Sequence, residues 1–327
     1  MNDTAKDRPR PLVLGVGELL WDLLPGGKQL GGAPANFAYH VHALGAEALV
    51  VSRVGADSLG NEILECLRRL GLRSDGVTTD SKTPTGTVSV ELDNHGTPTF
   101  TIRENVAWDF LEAGKSVLRE AARADAVCFG TLAQRSPIAR AAIREVLQAT
   151  PSTALRIFDI NLRQRFWSQE LILESLDLAD VFKLNDQELP VVAKILALTG
   201  DEASQLRQIA SRFELQAVAL TKGASGSSLL ARGELVSRPG SNLTVADTVG
   251  AGDSYTAALA LGLLAGQTPD FIIRFAHQVA DYVCTQPGAT PPMPSHLTER
   301  EVLLGRRQAE HTNLRCPSVG LAPWSAQ

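Results

Sequence analysis

The chain has 327 residues, 44% of them apolar, and its 31 Lys and Arg against 36 Asp and Glu leave a net charge of −5. A chain of this length can bury a full core without stabilising cross-links, and its acidic balance argues against a nucleic-acid-binding protein. The four cysteines lie far apart with no C-x-x-C pair, which excludes a disulfide scaffold and a zinc ribbon and fits a reducing compartment.

The longest apolar run, Ala257–Gly266, is much shorter than the roughly 18 residues that a membrane span requires. The hydrophilic start of the chain also lacks the pattern of a signal peptide. We therefore expect a cytoplasmic protein that binds neither membranes nor nucleic acid.

Short apolar segments alternate with helical patterns along most of the chain. The predicted strands are Leu12–Gly17, Ala48–Arg53, Asp125–Gly130, Ala154–Ile160, Asp180–Leu184 and Ala217–Thr221. Such segments are typical of strands buried on both faces of a parallel sheet. The stretches Ala33–Leu44 and Asn61–Leu70 show helical spacing between them. This alternation predicts an α/β fold with a doubly wound, mostly parallel central sheet.

One segment departs from the α/β alternation. Thr85–Leu92 alternates apolar and polar residues, residues 94–96 form an Asn-His-Gly turn signal, and Phe100 and Ile102 resume the alternation. This pattern predicts a β-hairpin with one apolar face. Two interpretations stay open, an ordinary edge hairpin and a hairpin that projects from the sheet and covers a site.

The first candidate site is residues 247–253, Asp-Thr-Val-Gly-Ala-Gly-Asp, directly before the apolar helix Ser254–Ala265. The two glycines leave backbone N–H groups unobstructed at a helix N-terminus, which suits a phosphate. Asp253 in the first turn could take a proton from an attacking hydroxyl while the amides stabilise the transferred phosphoryl group. The alternative is a carboxylate that only complements the helix dipole.

The second candidate lies near the start of the chain, where Gly31 and Gly32 lead into a helix that carries Asn36. The glycines let a ligand approach the backbone, and Asn36 offers a donor and an acceptor to sugar hydroxyls. A tight turn with Asn as a local cap is the alternative. Asp22 follows the first strand, and ligands of open α/β sheets bind beyond such strand ends.

Further polar residues follow later strands. Asn161 and Arg163 come just after a buried strand, and Arg163 could clamp a phosphate. Asn185 and Glu188, three residues apart at a helix start, could orient water around Mg²⁺, although a capping box fits this spacing equally well. Residues 221–226, Thr-Lys-Gly-Ala-Ser-Gly, are either a turn or a glycine-rich lip for a nucleotide.

Several common catalytic motifs are missing. The sequence has no G-x-x-x-x-G-K-[ST], and Leu20 stands where a dinucleotide fingerprint needs its third glycine. It also has no H-E-x-x-H and no G-x-S-x-G.

Taken in order, these segments resemble the ribokinase-like sugar kinases, also called the phosphofructokinase-B type, from about Leu12 to Pro294. The resemblance is carried by Gly31-Gly32 with Asn36 and by residues 247–253. It implies a ribokinase-like domain over residues 1–310, with a small β lid from about 18–36 and 83–106 and a surface extension at 311–327. It also implies ATP as phosphoryl donor, Mg²⁺, and a monovalent cation such as K⁺.

The resemblance also implies a role for individual residues. Asp253 matches the base that deprotonates the sugar's primary hydroxyl. The transferred phosphoryl group would be held by Gly250, Ala251, Gly252 and Arg163. The sugar would be bound by Asp22, Gly31, Gly32, Asn36, Asn161 and Arg103. The nucleotide would be bound by Lys183, Asn185, Thr221, Gly223, Gly226 and His277. Metal ions would involve Asn185 and Glu188 for Mg²⁺, and Asp247, Val249 and Gly288 for the monovalent cation.

Within the family, the sequence looks most like bacterial fructokinases. This resemblance is carried by Gly17-Glu18 with Trp21-Asp22, by Phe166-Trp167 and by Lys183-Leu184-Asn185. We therefore predict fructose as the substrate. The alternatives are 2-keto-3-deoxygluconate, for which Arg103 could bind the carboxylate, and ribose or a nucleoside. An inactive sugar-binding regulatory protein is the alternative that is not an enzyme. An apolar lid face needs covering, so a homodimer through the lid is expected.

Overall fold

The computed structural model describes residues 10–24, 26–92 and 98–298. The turn signal at 94–96 and the extension at 311–327 lie outside these residues. Within them, no helix combines the length and the apolar character that crossing a bilayer would require.

The described residues form a nine-stranded central sheet in the order β13-β12-β11-β10-β9-β8-β1-β4-β5. Its strands are β1 (Leu12–Val16), β4 (Glu47–Gly55), β5 (Val77–Asp80), β8 (Ala126–Phe129), β9 (Leu155–Asp159), β10 (Val181–Asn185), β11 (Ala217–Thr221), β12 (Ser227–Ala231) and β13 (Glu234–Arg238). Neighbours from β11 to β5 are parallel, and β12 and β13 add an antiparallel edge. The predicted α/β fold with a mostly parallel sheet is confirmed.

Helices cover both faces of this sheet. They are α1 (Ala33–Ala43), α2 (Ser58–Arg69), α3 (Lys115–Ala121), α4 (Pro137–Ala149), α5 (Gln169–Asp177), α6 (Leu189–Leu196), α7 (Glu202–Arg212), α8 (Ala251–Leu264), α9 (Pro269–Cys284) and α10 (Ser295–Thr298). Helices α1, α2, α8 and α9 pack in one core, and α3 to α7 pack in the other. Helix α2 begins before the predicted Asn61 because Asp57 caps it, accepting a hydrogen bond from Gly60 N at 2.8 Å.

A second, four-stranded sheet forms the lid, in the order β3-β2-β6-β7. Its strands are β2 (Leu20–Leu24), β3 (Gly27–Gly31), β6 (Gly86–Leu92) and β7 (Pro98–Ile102). The predicted hairpin is therefore half of a separate sheet, in which β6 pairs antiparallel with β7 and parallel with β2. Val88 and Ile102 are buried and face the cavity described below, which agrees with the covering interpretation.

The order of the strands places a crevice beside β1. The chain leaves β1 toward β4 and β5 on one side and returns on the other side with β8. Ligands of open α/β sheets bind beyond the carboxyl ends of strands at such a reversal. Gly17 and Glu18 follow β1 directly at this point, so the topology brings them together with the residues that follow β9, β10 and β11.

Gly15 lets α1 approach the sheet at this crevice. A Cβ at Gly15 would lie 2.2 Å from the carbonyl oxygen of Pro34, in the first turn of α1. We expect Gly15→Ala to destabilise the protein by about 1–3 kcal/mol, because α1 must move away from β1. Gly114→Ala is the matched control, since a Cβ there meets nothing within 4 Å. Urea unfolding measures both variants, and equal stabilities would contradict the close packing.

Candidate active site

One cavity of about 1040 Å³ lies between the carboxyl ends of the central strands, the lid and the start of α8. On the lid side it is lined by Asp22, Gly32, Asn36, Asn161 and Arg163. At the start of α8 it is lined by Val249, Gly250, Ala251, Gly252 and Asp253. Lys183 lines it beneath the start of α8, and at the opposite end it is lined by Asn185, Thr221, Gly223, Gly226 and His277. The cavity therefore brings together most of the residues that the sequence proposed for one site.

Five of the proposed residues do not line the cavity, namely Gly31, Arg103, Glu188, Asp247 and Gly288. Gly31 lies directly behind Asp22, where a Cβ would approach Asp22 Oδ2 to 2.3 Å, so it makes room for that carboxylate. Arg103 follows β7 and is exposed, with its backbone N–H donating to Thr87 O at 3.0 Å. The structure thus places Arg103 away from the described lining of the cavity.

Asp247 organises the loop before α8. Its carboxylate accepts hydrogen bonds from Val249 N at 3.0 Å and from Gly288 N at 3.1 Å. It thereby ties two loops together at the start of α8, and the two amides occupy one site on each of its oxygens. The monovalent-cation site predicted at this loop stays a prediction.

The N-terminus of α8 has the geometry of an anion site. Gly250 precedes the helix with φ of 79°, and a Cβ there would lie 2.5 Å from the carbonyl oxygen of Ala289. Glycine is therefore required both by conformation and by space. The amide of Ala251 donates to Thr248 O at 3.3 Å, whereas helix geometry leaves the next amides of the first turn without intrahelical acceptors. These amides can stabilise a phosphate.

Asp253 is held by a residue from another helix. Asn36 Nδ2, on α1, donates to Asp253 Oδ2 at 2.8 Å. Asn36 Oδ1 is buried and has no hydrogen-bond partner in the described structure. A buried acceptor without a partner is costly, so the pair favours a ligand with a hydroxyl group that can donate to Asn36 while another is placed at Asp253.

The surroundings of Asp253 make its carboxylate a usable base. Burial raises its pKa to about 6, and the negative charge of Asp159 adds to the increase, against the opposing effects of Asn36, Lys183 and Arg163. A carboxylate with this pKa is ionised at neutral pH and can still accept a proton effectively. Asp253 can therefore remove a proton from a hydroxyl group bound beside it.

A buried ion pair lies beneath the anion site. Lys183 Nζ is 3.1 Å from Asp159 Oδ1, and Thr256 Oγ1 on α8 donates to Asp159 Oδ2 at 2.8 Å. The ammonium would be 3.1 Å from a Cβ at Gly252. Burial opposes its charge, but the carboxylates of Asp159, Glu188 and Asp253 outweigh burial and raise the pKa of Lys183. A permanent positive charge therefore lies under the start of α8.

Asn185 and Glu188 form the capping box that the sequence left as an alternative. Asn185 Oδ1 accepts from Glu188 N at 2.9 Å, and Glu188 Oε2 accepts from Asn185 N at 2.8 Å. Glu188 Oε1 also accepts from Leu162 N at 2.8 Å, so it fixes the loop after β9. The described residues include no cluster of three acidic, His or Cys side chains that could hold a metal.

The far end of the cavity lies between the β11–β12 turn and α9. His277 contacts Ser227 Oγ through Nε2 at 2.7 Å, and Ser227 Oγ is 3.0 Å from Tyr255 OH. Burial lowers the pKa of His277, which favours its neutral form. Gly226 has φ of 96°, and a Cβ there would lie 2.0 Å from Arg238 O, so this turn requires glycine. The end is suited to a largely neutral group such as a nucleoside.

Two buried acidic residues of the site were not among those predicted from the sequence. Asp159 accepts hydrogen bonds from Lys183 and Thr256, and its signal in the sequence was its place at the end of a predicted strand. Glu18 lines the cavity with 4% of its surface exposed, and burial raises its pKa to about 7. Its signal was its position directly after the first strand, where it contributed only to the family resemblance.

Known proteins resemble this chain in sequence and in fold. Residues 26–296 match the family model described as pfkB family carbohydrate kinase. A fructokinase of Klebsiella pneumoniae is 30% identical over 277 residues, covering 81% of this chain and 88% of that protein. Fructokinase-1 of Zea mays is 30% identical over 322 residues, covering 90% and 97%. The crystal structure of an uncharacterised sugar kinase from Pyrococcus horikoshii in complex with ATP superposes with a TM-score of 0.73 at 27% identity, covering 89% of this chain and 98% of that one.

Proposed function

Because this chain belongs to the pfkB family of carbohydrate kinases, we propose that it transfers a phosphoryl group from ATP to the primary hydroxyl of fructose. The observation that carries the proposal is the pair Asn36–Asp253 at the start of α8, with one buried amide oxygen free for a hydroxyl group. This pair supports the proposal because a carboxylate and an amide oxygen that can accept from a hydroxyl group lie together beside the first-turn amides of α8.

In the proposed mechanism, Asp253 accepts the proton of the sugar's primary hydroxyl as the oxygen attacks phosphorus. Asn36 holds the Asp253 carboxylate in position through its amide. The amides of the first turn of α8 and the ammonium of Lys183 stabilise negative charge on the transferred group. Arg163, which is exposed toward the cavity, can hold a phosphate oxygen as the groups approach.

The nucleotide is proposed to bind with its phosphates at the start of α8 and its base toward His277. The ATP complex of the Pyrococcus horikoshii sugar kinase supports this choice of donor. When bound, Mg²⁺ would neutralise phosphate charge. Asn185, which lines the cavity, and Glu188, which lies behind it, could orient its waters.

Fructose is proposed as the acceptor because two relatives named fructokinase are 30% identical over most of their length. The position of Arg103 supports a neutral sugar, since it lies outside the described cavity lining. Asp22 lines the cavity and can accept hydrogen bonds from two neighbouring hydroxyls of a ketose.

A sugar panel tests the proposed function. The purified protein is incubated with ATP and Mg²⁺ and with fructose, ribose, a nucleoside or 2-keto-3-deoxygluconate, and ADP release is measured with and without K⁺. We expect the highest kcat/KM with fructose, and faster turnover with K⁺ if the Asp247 loop binds the cation. Turnover of another sugar alone would reject fructose, and sugar binding without ADP release would favour an inactive regulatory protein.

A homodimer through the lid is part of the proposal. Leu23, on the lid strand β2, is 36% exposed and is one of the few large apolar side chains in the described residues that face solvent. Covering the lid sheet with a second copy would remove this apolar surface from water. Light scattering after size-exclusion chromatography measures the mass, and a monomer at micromolar concentration would reject this arrangement.

The pKa of Asp253 predicts the acid side of the pH profile. Asp253 must be ionised to accept a proton, and burial raises its pKa to about 6. We therefore expect kcat/KM to fall about tenfold for each pH unit well below pH 6. Initial rates between pH 4.5 and 7 measure the limb, and a midpoint near the usual pKa of aspartate would contradict the role of burial.

A further inference from the structure

Glu18 is a buried carboxyl group for which the proposed mechanism has no task. It follows β1 directly, at the reversal of strand order beside β8. Only 4% of its surface is exposed, and its side chain lines the large cavity on the side of Asp22 and Asn36. Acidic residues are rarely buried to this extent unless they have a partner or a function.

A second, much smaller cavity is also lined by both Glu18 and the proposed base. It has a volume of about 10 Å³ and is lined by Glu18, Asp253, Asp159 and Asn161 among others. Such a volume holds about one water molecule. Glu18 and Asp253 therefore share two cavities, and the charge of Asp253 acts on the carboxyl group of Glu18.

The charged groups around Glu18 do not neutralise it, although the backbone N–H groups of Glu18 and Ala33 favour its charged form. Asp253, on α8, and Asp159, on β9, line the smaller cavity with it, and Asp22, on β2, lines the large one. Arg163 is the cation that acts on Glu18, but it is exposed to solvent, and Lys183 is already paired with Asp159. Cys128, on β8, is fully buried and burial raises its pKa well above its usual value, so its thiol stays neutral.

Two ionised carboxylates that line one small buried cavity repel each other, so the pair loses its second proton at a higher pH than its first. Burial raises the pKa of Glu18 to about 7 and that of Asp253 to about 6. These values give the order in which the two groups ionise. As the pH rises, Asp253 ionises first and Glu18 second, and between the two steps the pair carries one negative charge, located mainly on Asp253.

We propose that Glu18 is a positioning residue of the kinase site, which stays neutral while the neighbouring Asp253 is ionised and which inhibits phosphoryl transfer when it ionises itself. The inference rests on the proposed kinase function. The second negative charge would oppose ionisation of Asp253 and repel the phosphoryl group that arrives at the start of α8. Transfer would therefore be fastest in the singly ionised state.

The first test compares kcat/KM between pH 5 and 9 for the wild type, Glu18→Gln and the control Glu145→Gln, which changes an exposed glutamate on α4. The wild type and control should show a bell-shaped profile, with a falling limb above pH 7. Glu18→Gln keeps a neutral side chain of the same size, so its rising limb should stay near pH 6 while the falling limb disappears. At pH 8.5 it should exceed the wild type by about tenfold or more.

Tyr255 and His277, at the far end of the cavity, are not expected to titrate between pH 7 and 9. Burial raises the pKa of Tyr255 to about 12 and lowers that of His277 below its usual value of 6.5. A falling limb that is the same in Glu18→Gln as in the wild type would therefore reject the proposal. A purely structural role for Glu18 would change the rate at every pH and leave the shape of the profile unaltered.

A second measurement does not depend on the variant folding. The protein is labelled with ¹³C at the glutamate side-chain carboxyls, and the Glu18 resonance is titrated without substrate. A midpoint well above the usual value for glutamate supports the proposal, and a midpoint below pH 5 overturns it. If the wild type phosphorylates no sugar, the proposed function fails, whereas an active wild type with an unchanged falling limb in Glu18→Gln rejects only the role of Glu18.

Discussion

Replacing Asp253 with asparagine is expected to lower kcat/KM by about 10²–10⁴-fold, which corresponds to about 3–5 kcal/mol of transition-state stabilisation. The amide cannot accept the proton of the sugar hydroxyl. The fold should persist, because the amide oxygen introduced at 253 can still accept the hydrogen bond from Asn36 Nδ2. Sugar affinity, measured by calorimetry, should change much less than the rate.

Asp177→Asn provides the control for this substitution, since Asp177 is an exposed aspartate at the end of α5 and is not among the residues that line the cavity. Its kcat/KM should equal that of the wild type. Initial rates with fructose and ATP at pH 7.5 measure all three proteins. Turnover of Asp253→Asn within about threefold of the wild type would remove Asp253 from the proton transfer.

Replacing Arg135 with alanine is expected to cost about 3–5 kcal/mol of the free energy of unfolding. Arg135 Nε and Nη2 donate to Asp109 Oδ1 and Oδ2 at 2.8 and 2.9 Å, and the two side chains are only 6% and 7% exposed. The guanidinium also stacks over Trp108 at 4.0 Å and donates to Arg103 O at 2.6 Å, at the end of the lid strand β7. Its loss leaves the carboxylate of Asp109 buried and unpaired.

A double-mutant cycle distinguishes the ion pair from packing alone. Arg135→Met combined with Asp109→Asn should cost less than the sum of the two single variants, because no buried charge is left without a partner. Arg68→Ala is the control, since it removes an exposed ion pair on α2 and should cost less than about 1 kcal/mol. Urea unfolding followed by circular dichroism measures the series. A loss below 1 kcal/mol for Arg135→Ala would show that the pair contributes little.

The central sheet was predictable from the local pattern of apolar residues. The six apolar segments became strands of the central sheet, since a strand buried on both faces must be apolar throughout. The lid hairpin was likewise predicted from its alternating residues. The strands β2 and β3 were less visible, because their exposed residues and short length give no clear alternation.

Within the site, the sequence predicted well the features that depend on backbone conformation. Glycines before α8 and α1 indicate close approach and unusual conformation, and Gly250 indeed has a positive φ and no room for a Cβ. Asn185 and Glu188 illustrate the opposite case. Their spacing fits a capping box and a metal site equally, and the structure shows the capping hydrogen bonds.

By itself, the sequence determined the α/β architecture, the glycine-rich start of α8 and the membership of a sugar kinase family, because these depend on patterns of residues close together in the chain. Tertiary structure alone decided the charges of the site. Asp253, Asn36 and Glu18 come from separate elements, and the pairing of Lys183 with Asp159 joins two neighbouring strands. Protonation depends on burial and on charges brought together by folding, and no pattern along the chain records those distances.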